Sequence, residues 1–156
     1  DRFPGNTDLL FARTLLAERR DDFIRIEQDL RLIIQLSPDD ARALNHLGYA
    51  LTIRTNRYQE ALTLIERAIA LNPDDPATID SLGWVQFKLG DYETALQNLR
   101  RAYAAYPDHE VAAHLGEVLW VMGREQEAMA IWQEALEQIP ESEHVLETMQ
   151  RLAPEK

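Results

Sequence analysis

The residues that come nearest to a reaction centre are His109-Glu110-Val111-Ala112-Ala113-His114. Two histidines and a glutamate on one helix can hold zinc and activate water when the histidines stand at i and i+4, about 40° apart, so that both reach one ion. Here they stand at i and i+5, roughly 140° apart at 3.6 residues per turn, and cannot share a metal on one helix. His109 reads as an exposed first-turn residue and His114 as one on a helix face. His46 and His144 stand singly, with no ligand partner nearby in sequence. The acidic pairs Asp21-Asp22, Asp39-Asp40 and Asp74-Asp75 could act as general acid and base. Their recurrence at expected helix starts reads instead as capping of free amides. Ser37, Ser81 and Ser142 lie in no nucleophile elbow, and none of the six glycines forms a phosphate loop. With no cysteine, thiolate nucleophiles, disulfides and cysteine zinc sites drop out together. No catalytic residue, metal site or cofactor is expected, and the chain reads as a non-enzyme.

Composition narrows the partners. The 156 residues, 46% hydrophobic and 28% charged, are enough for one packed domain. A formal net charge of −11 repels phosphate backbones and anionic lipid, which argues against nucleic acid and membrane surfaces as partners. No stretch approaches the ~20 apolar residues of a membrane span. The opening Asp1-Arg2-Phe3-Pro4-Gly5 is neither a signal peptide nor a start at Met, so the chain reads as a fragment or a processed form whose targeting segment lies elsewhere.

The elements that would position any site come from a repeat. Pro38, Pro73, Pro107 and Pro140 lie 35, 34 and 33 residues apart and close similar phrases. Leu47-Gly48, Leu82-Gly83 and Leu115-Gly116 recur in the first halves. Ala61, Ala95 and Ala128, then Ala68, Ala102 and Ala135, recur in the second halves. Residues 77–89 put Ile79, Leu82, Gly83, Gln86 and Leu89 on one helical stripe, and 92–105 do the same with Ala95, Leu96, Leu99, Ala102 and Tyr103. Gly90 suits the turn between them, the proline ends the second helix, and Asp39-Asp40, Asp74-Asp75, Asp108 and Glu141 can cap the next. A mid-helix glycine such as Gly83 sacrifices about 1 kcal/mol of helix propensity, which makes sense where a partner helix must come close. Such helix pairs bury their apolar faces only by stacking.

The combination Leu82-Gly83, Gly90-Asp91-Tyr92, Ala95, Leu99, Ala102, Pro107 resembles the tetratricopeptide repeat. The resemblance implies an all-α fold, a right-handed superhelix of stacked antiparallel helix pairs. Full repeats are expected at 39–73, 74–107 and 108–140. A degenerate copy is expected at 6–38, with Asp22-Phe23 in place of Asp91-Tyr92, Thr14 in place of the glycine and Ile26 in place of the alanine. Residues 141–156 read as a capping helix and tail, and 1–5 as an irregular start.

In that family the first helix of each pair lines the concave surface. Helical spacing puts Arg42, Asn45, Tyr49, Thr52 and Ile53 opposite the packing face in the first full repeat. Ala77, Asp80, Trp84, Phe87 and Lys88 follow in the second, and Glu110, Ala113, Glu117, Trp120 and Val121 in the third. Asn45, Tyr49, Asp80, Trp84, Phe87, Lys88, Glu117 and Trp120 are therefore the expected protein- or peptide-binding residues, because large aromatics are the commonest interface anchors. The same aromatics could instead pack on neighbouring first helices. Trp132 aligns with Ile65 and Leu99 and is expected in the core. Some tetratricopeptide domains clamp a carboxylate tail with lysine and asparagine; of the matching places here only Asn45 fits, so the groove suits an apolar or basic segment better.

The phrases Asn45-His46-Leu47-Gly48-Tyr49-Ala50-Leu51, Asp80-Ser81-Leu82-Gly83-Trp84-Val85 and Ala112 to Trp120 also resemble the C-terminal repeats of proteobacterial tetratricopeptide lipoproteins. That group includes an outer-membrane adaptor that delivers clients to a periplasmic carboxyl-terminal processing protease. The resemblance implies a protein–protein scaffold whose partner is such a protease or its clients. It also implies a periplasmic place through an N-terminal anchor outside this sequence, with the cytoplasm the other compartment open to it. The alternative is a self-associating structural module of a longer repeat protein.

Overall fold

A computed structural model describes residues 5–153. The expected irregular start lies outside them apart from Gly5, as does the end of the tail, 154–156. Among the described residues there are nine α-helices and no strand: α1 (Thr7–Arg19), α2 (Phe23–Leu36), α3 (Ala41–Arg54), α4 (Tyr58–Leu71), α5 (Pro76–Lys88), α6 (Tyr92–Ala105), α7 (His109–Val121), α8 (Glu125–Gln138) and α9 (Glu143–Leu152).

The helix starts are set by side chains that accept a free first-turn amide. Asn6 accepts from Leu9 N, Asp40 from Ala43 N, Asp75 from Thr78 N and Asp108 from Glu110 N, at 3.1, 3.0, 3.0 and 2.8 Å. Before α9 the structure corrects the expectation of Glu141. The cap is Ser142, whose hydroxyl accepts from Val145 N at 3.4 Å. Asp22 and Asp91 cap α2 and α6, while α4 and α8 start at Arg57 and Arg124 with no side-chain cap. The turns inside three helix pairs use positive φ just before the second helix: Gly90 at 88°, Gly123 at 78° and Asp21 at 56°. Aspartate tolerates this conformation better than most residues, which is how the degenerate copy turns without glycine.

The chain divides into two compact units, Asp1–Ser81 and Leu82–Lys156. In the first, α1 packs on α2, α2 on α3 and α3 on α4. Leu30, Ile33, Leu44, Leu47, Leu51 and Ile65 are fully buried there. A Cβ on Gly48 would meet Ile65 Cγ1 at 2.5 Å and the Ala61 carbonyl at 3.0 Å, so the glycine lets α3 and α4 approach as its sequence position implied. In the second unit α6 and α8 pack on α7, and α9 lies on α7 and α8. Gly83 stands against Leu99 and the Ala95 carbonyl.

The degenerate pair solves its packing differently. Seven residues after their caps, α3 and α4 present Leu47 and Leu64, both buried. The same places in α1 and α2 hold Arg13 and Asp29. The guanidinium grips the carboxylate with Nε and Nη2 at 2.7 and 2.6 Å, and Asp29 is 1% exposed. Thr14 is buried where the others have glycine, and its hydroxyl donates to the Leu10 carbonyl at 3.1 Å.

Outside this core Glu27 accepts from both terminal nitrogens of Arg57, at 2.8 and 2.7 Å, and from Arg31. Chiefly the Arg57 hydrogen bonds, against some desolvation, hold its carboxyl below the ordinary glutamate range. A carboxyl with a lowered folded pKa contributes stability that is complete above its unfolded value and is lost as pH falls through the folded one. The thermal midpoint should therefore fall as acid is added below about pH 4.3. Glu27→Gln should flatten that limb in a series of melts from pH 6 to 3, and an unchanged limb would remove Glu27 as its source.

Candidate functional site

Each first helix turns one face away from its own partner helix, and there the expected binding residues lie. In the first unit Asn45 and Tyr49 are half-buried on α3. The Asn45 Oδ1 is enclosed and has no hydrogen-bond partner. Nearby side chains are engaged with α1. The Arg42 guanidinium sits 3.9 Å over the Phe11 ring, and His46 meets Phe11 edge-on with centroids 5.4 Å apart and pairs with Glu18. Ile53, at the end of the same stripe, is 49% exposed. Asp80 is buried rather than facing an open groove.

The second unit gathers Trp84, Phe87 and Lys88. Trp84 stacks on His114 of α7, with centroids 4.1 Å apart and planes 17° from parallel, and is only 6% exposed. Phe87 lies 5.1 Å from Trp84 and 5.3 Å from Tyr92. The Lys88 Nζ covers the Trp84 ring at 4.8 Å and stands 5.7 Å from Phe87. The expected groove-facing tryptophan is thus a packing residue, held against His114 and covered by Lys88. What reaches solvent is the edge formed by half-buried Phe87, exposed Lys88 and exposed Tyr92.

The two remaining residues of α7 diverge. Trp120 is half-buried and stacks on Trp132 at 5.8 Å, and Trp132 is fully buried, in the core place expected of it. Glu117 is 6% exposed because Arg151 of α9 grips both its oxygens, at 3.0 and 2.6 Å. Those hydrogen bonds raise the Arg151 pKa. His109 and His114 turn to different neighbours. His109 Nδ1 lies 2.7 Å from Ser142 Oγ and its ring 5.2 Å from that of His144, while His114 faces Trp84. No three His, Asp or Glu side chains gather as an ion would require among the described residues.

Sequence reasoning missed the contact that Tyr92 makes with Phe87, its spacing marking it only as the start of the second helix, and the Glu117–Arg151 pair. A signal for the pair existed. The two residues are 34 apart, one repeat period, and a stacked array brings such residues side by side. The arrangement can grip an extended or helical segment by aromatic contact beside the Lys88 ammonium, on a chain whose net charge is −11.

Comparison with known proteins agrees with the helical-repeat fold. Residues 47–120 match the tetratricopeptide repeat family model. Over 116 residues the chain is 53% identical to the TPR repeat-containing protein PA4667 of Pseudomonas aeruginosa, a match that covers 74% of this chain and 20% of that protein. The chain thus spans about a fifth of the length of this curated relative. The thermophilic TPR protein TTC0263 of Thermus thermophilus superposes with a TM-score of 0.78 at 23% identity, over 95% of this chain and 80% of that one. An O-GlcNAc transferase of Thermobaculum terrenum superposes at 0.77 and 24% identity, over 85% of this chain and 26% of the enzyme. At these identities the structural matches speak for the fold alone.

Proposed function

The chain is built of tetratricopeptide repeats, and from that premise we propose that it is a non-catalytic scaffold that holds a protein or peptide segment on the first-helix faces of its repeats. The observation that carries this is the Phe87–Lys88–Tyr92 edge. Aromatic surface is left at the rim of a packed Trp84–His114 stack, where the fold does not need it covered. Phe87 and Lys88 are the residues expected to contact the segment, with Trp120 beside Trp132 on α7; Asn45 and Tyr49 on α3 are the corresponding candidates on the first unit's own face. Asp80, Trp84 and Glu117 act from beneath, by shaping the faces. The acidic balance of the chain favours a partner segment that is apolar or basic.

The finer reading is an adaptor for a periplasmic carboxyl-terminal processing protease or its clients, anchored at the outer membrane through a segment N-terminal to this sequence. Three phrases support it, residues 45–51, 80–85 and 112–120. The test is direct binding. The chain and its Phe87→Ala/Lys88→Ala variant, matched for helicity and melting, are immobilised and exposed to the purified protease from the same organism and to a periplasmic extract. Loss of at least tenfold in protease affinity in the variant, about 1.4 kcal/mol, is the expected result. Protease held equally by both proteins would move the site off this edge. Extract proteins held without the protease would end the adaptor reading and keep the scaffold, and no partner at all would end both.

A further inference from the structure

His109 and His144 stand about one repeat apart in the sequence, and the fold of the second unit brings them together. His109 opens α7, and His144 lies in the first turn of α9, which packs on α7. Their ring centres are 5.2 Å apart, with planes 62° to one another. The His109 ring is half-buried and held in place. Its Nδ1 lies 2.7 Å from the Oγ of Ser142, which is itself buried and accepts from Val145 N. A hydroxyl oxygen has a second lone pair, so Ser142 can also accept from the His109 Nδ1–H. That tautomer leaves the lone pair on His109 Nε2 for another bond. The His144 ring is exposed and has room to turn. The two helices are also tied farther along, where Arg151 grips Glu117.

We propose that His109 Nε2 and a ring nitrogen of His144 chelate one divalent transition ion of the zinc class, which braces the start of α9 against the start of α7. The spacing fits. Zinc holds an imidazole nitrogen at about 2.1 Å, so the ring centre stands about 3.2 Å from the metal, and two rings at the tetrahedral angle have centres about 5 Å apart. A ligand histidine whose other ring nitrogen donates to a fixed oxygen is the common arrangement at such ions, and Ser142 supplies that oxygen. The surrounding charge decides the sign of the ligand. An anion would meet the Asp108 carboxylate, which already takes the Glu110 amide, together with Glu110 and Glu143 in the two first turns. The same carboxylates offset the positive helix ends that would otherwise oppose a cation. Imidazole selects zinc, nickel or copper over magnesium and calcium, which prefer oxygen. No third His, Asp or Glu closes a cage among the described residues, so water completes the coordination of this open site.

The test titrates the 156-residue chain with Zn²⁺, and with Mg²⁺ as the oxygen-seeking control, by calorimetry, and follows hydrogen exchange of the α9 amides with and without Zn²⁺. His109→Ala, His144→Ala and the milder His144→Gln are compared with His46→Ala, whose ring lies in the first unit, after all four are matched to the native chain in helicity and metal-free melting. The proposal expects one Zn²⁺ per chain, binding at least tenfold weaker in each variant of His109 or His144, and no change in His46→Ala. Zinc should slow α9 exchange at least tenfold in the native chain and leave it unchanged in His144→Gln. Absence of stoichiometric zinc binding would overturn the proposal, as would binding that survives loss of His144. Equal response to Mg²⁺ would overturn it in favour of the carboxylates as ligands. Zinc that joins two chains in light scattering without slowing α9 exchange would overturn the brace.

Discussion

Arg13→Ala should lower the unfolding free energy by about 3 kcal/mol, and Asp29→Ala by less. The two residues make one bidentate pair, but they are not equally buried: the Asp29 side chain is 2% exposed and that of Arg13 32%. Removing the arginine strands a carboxylate in the place of a core leucine, and an uncompensated buried charge is the expensive outcome of breaking such a pair. Removing the aspartate leaves a guanidinium that already reaches water and can turn further into it. Replacing both by leucine, the residues at the matching places of α3 and α4, should recover most of the loss or exceed the native stability, as apolar replacement of buried ion pairs often does. Urea denaturation of the two single variants and the double variant at pH 7 measures all three. Equal losses for the two single variants would show that burial does not decide the asymmetry.

Gly116→Ala should cost about 3 kcal/mol even though alanine is the better helix former by about 1 kcal/mol. The added methyl would stand 2.0 Å from Trp132 Nε1 and 2.4 Å from Cε2. Trp132 is fully buried, and a large rigid ring so enclosed yields less readily than a flexible side chain. Gly83→Ala is the control. Its Cβ would meet Leu99 Cγ at 2.7 Å and Cδ2 at 3.1 Å, and a leucine can change rotamer, so the loss should be smaller. Trp132→Leu removes the ring that collides, and with it a buried N–H that has no hydrogen-bond partner. Gly116→Ala/Trp132→Leu should therefore be more stable than the two single losses predict, by about 2 kcal/mol of coupling. The denaturation midpoint should shift in each variant with the slope preserved. Additive losses in the cycle would mean that the glycine is needed for some reason other than the indole.

The candidate site was less legible than the frame that carries it. Trp84, Phe87 and Lys88 were placed on one stripe by their spacing, and the structure does bring them together. Spacing along one helix says which residues share a face but not what a neighbouring helix lays over that face. His114 covers Trp84, and Arg151 takes Glu117. Both partners come from other helices of the second unit, and for Arg151 only the repeat period hinted at the meeting. Tyr92 was hidden because its place after Gly90 announced a helix start, which it is, and said nothing of the Phe87 ring it also touches.

By itself the sequence determined the helices and their pairing. Prolines, cap residues, turn glycines and the 3.6-residue stripe act on their own neighbourhoods through forbidden dihedrals, unsatisfied amides and apolar periodicity. These are local causes, and repetition states them several times over. Only the tertiary structure decided exposure. Trp84 is a packing residue, Glu117 an ion-paired one, and Arg13–Asp29 a charged substitute for two leucines. Each of these depends on which side chain from a distant helix arrives within a few ångströms. That is settled by how the helices pack, and no single segment encodes it.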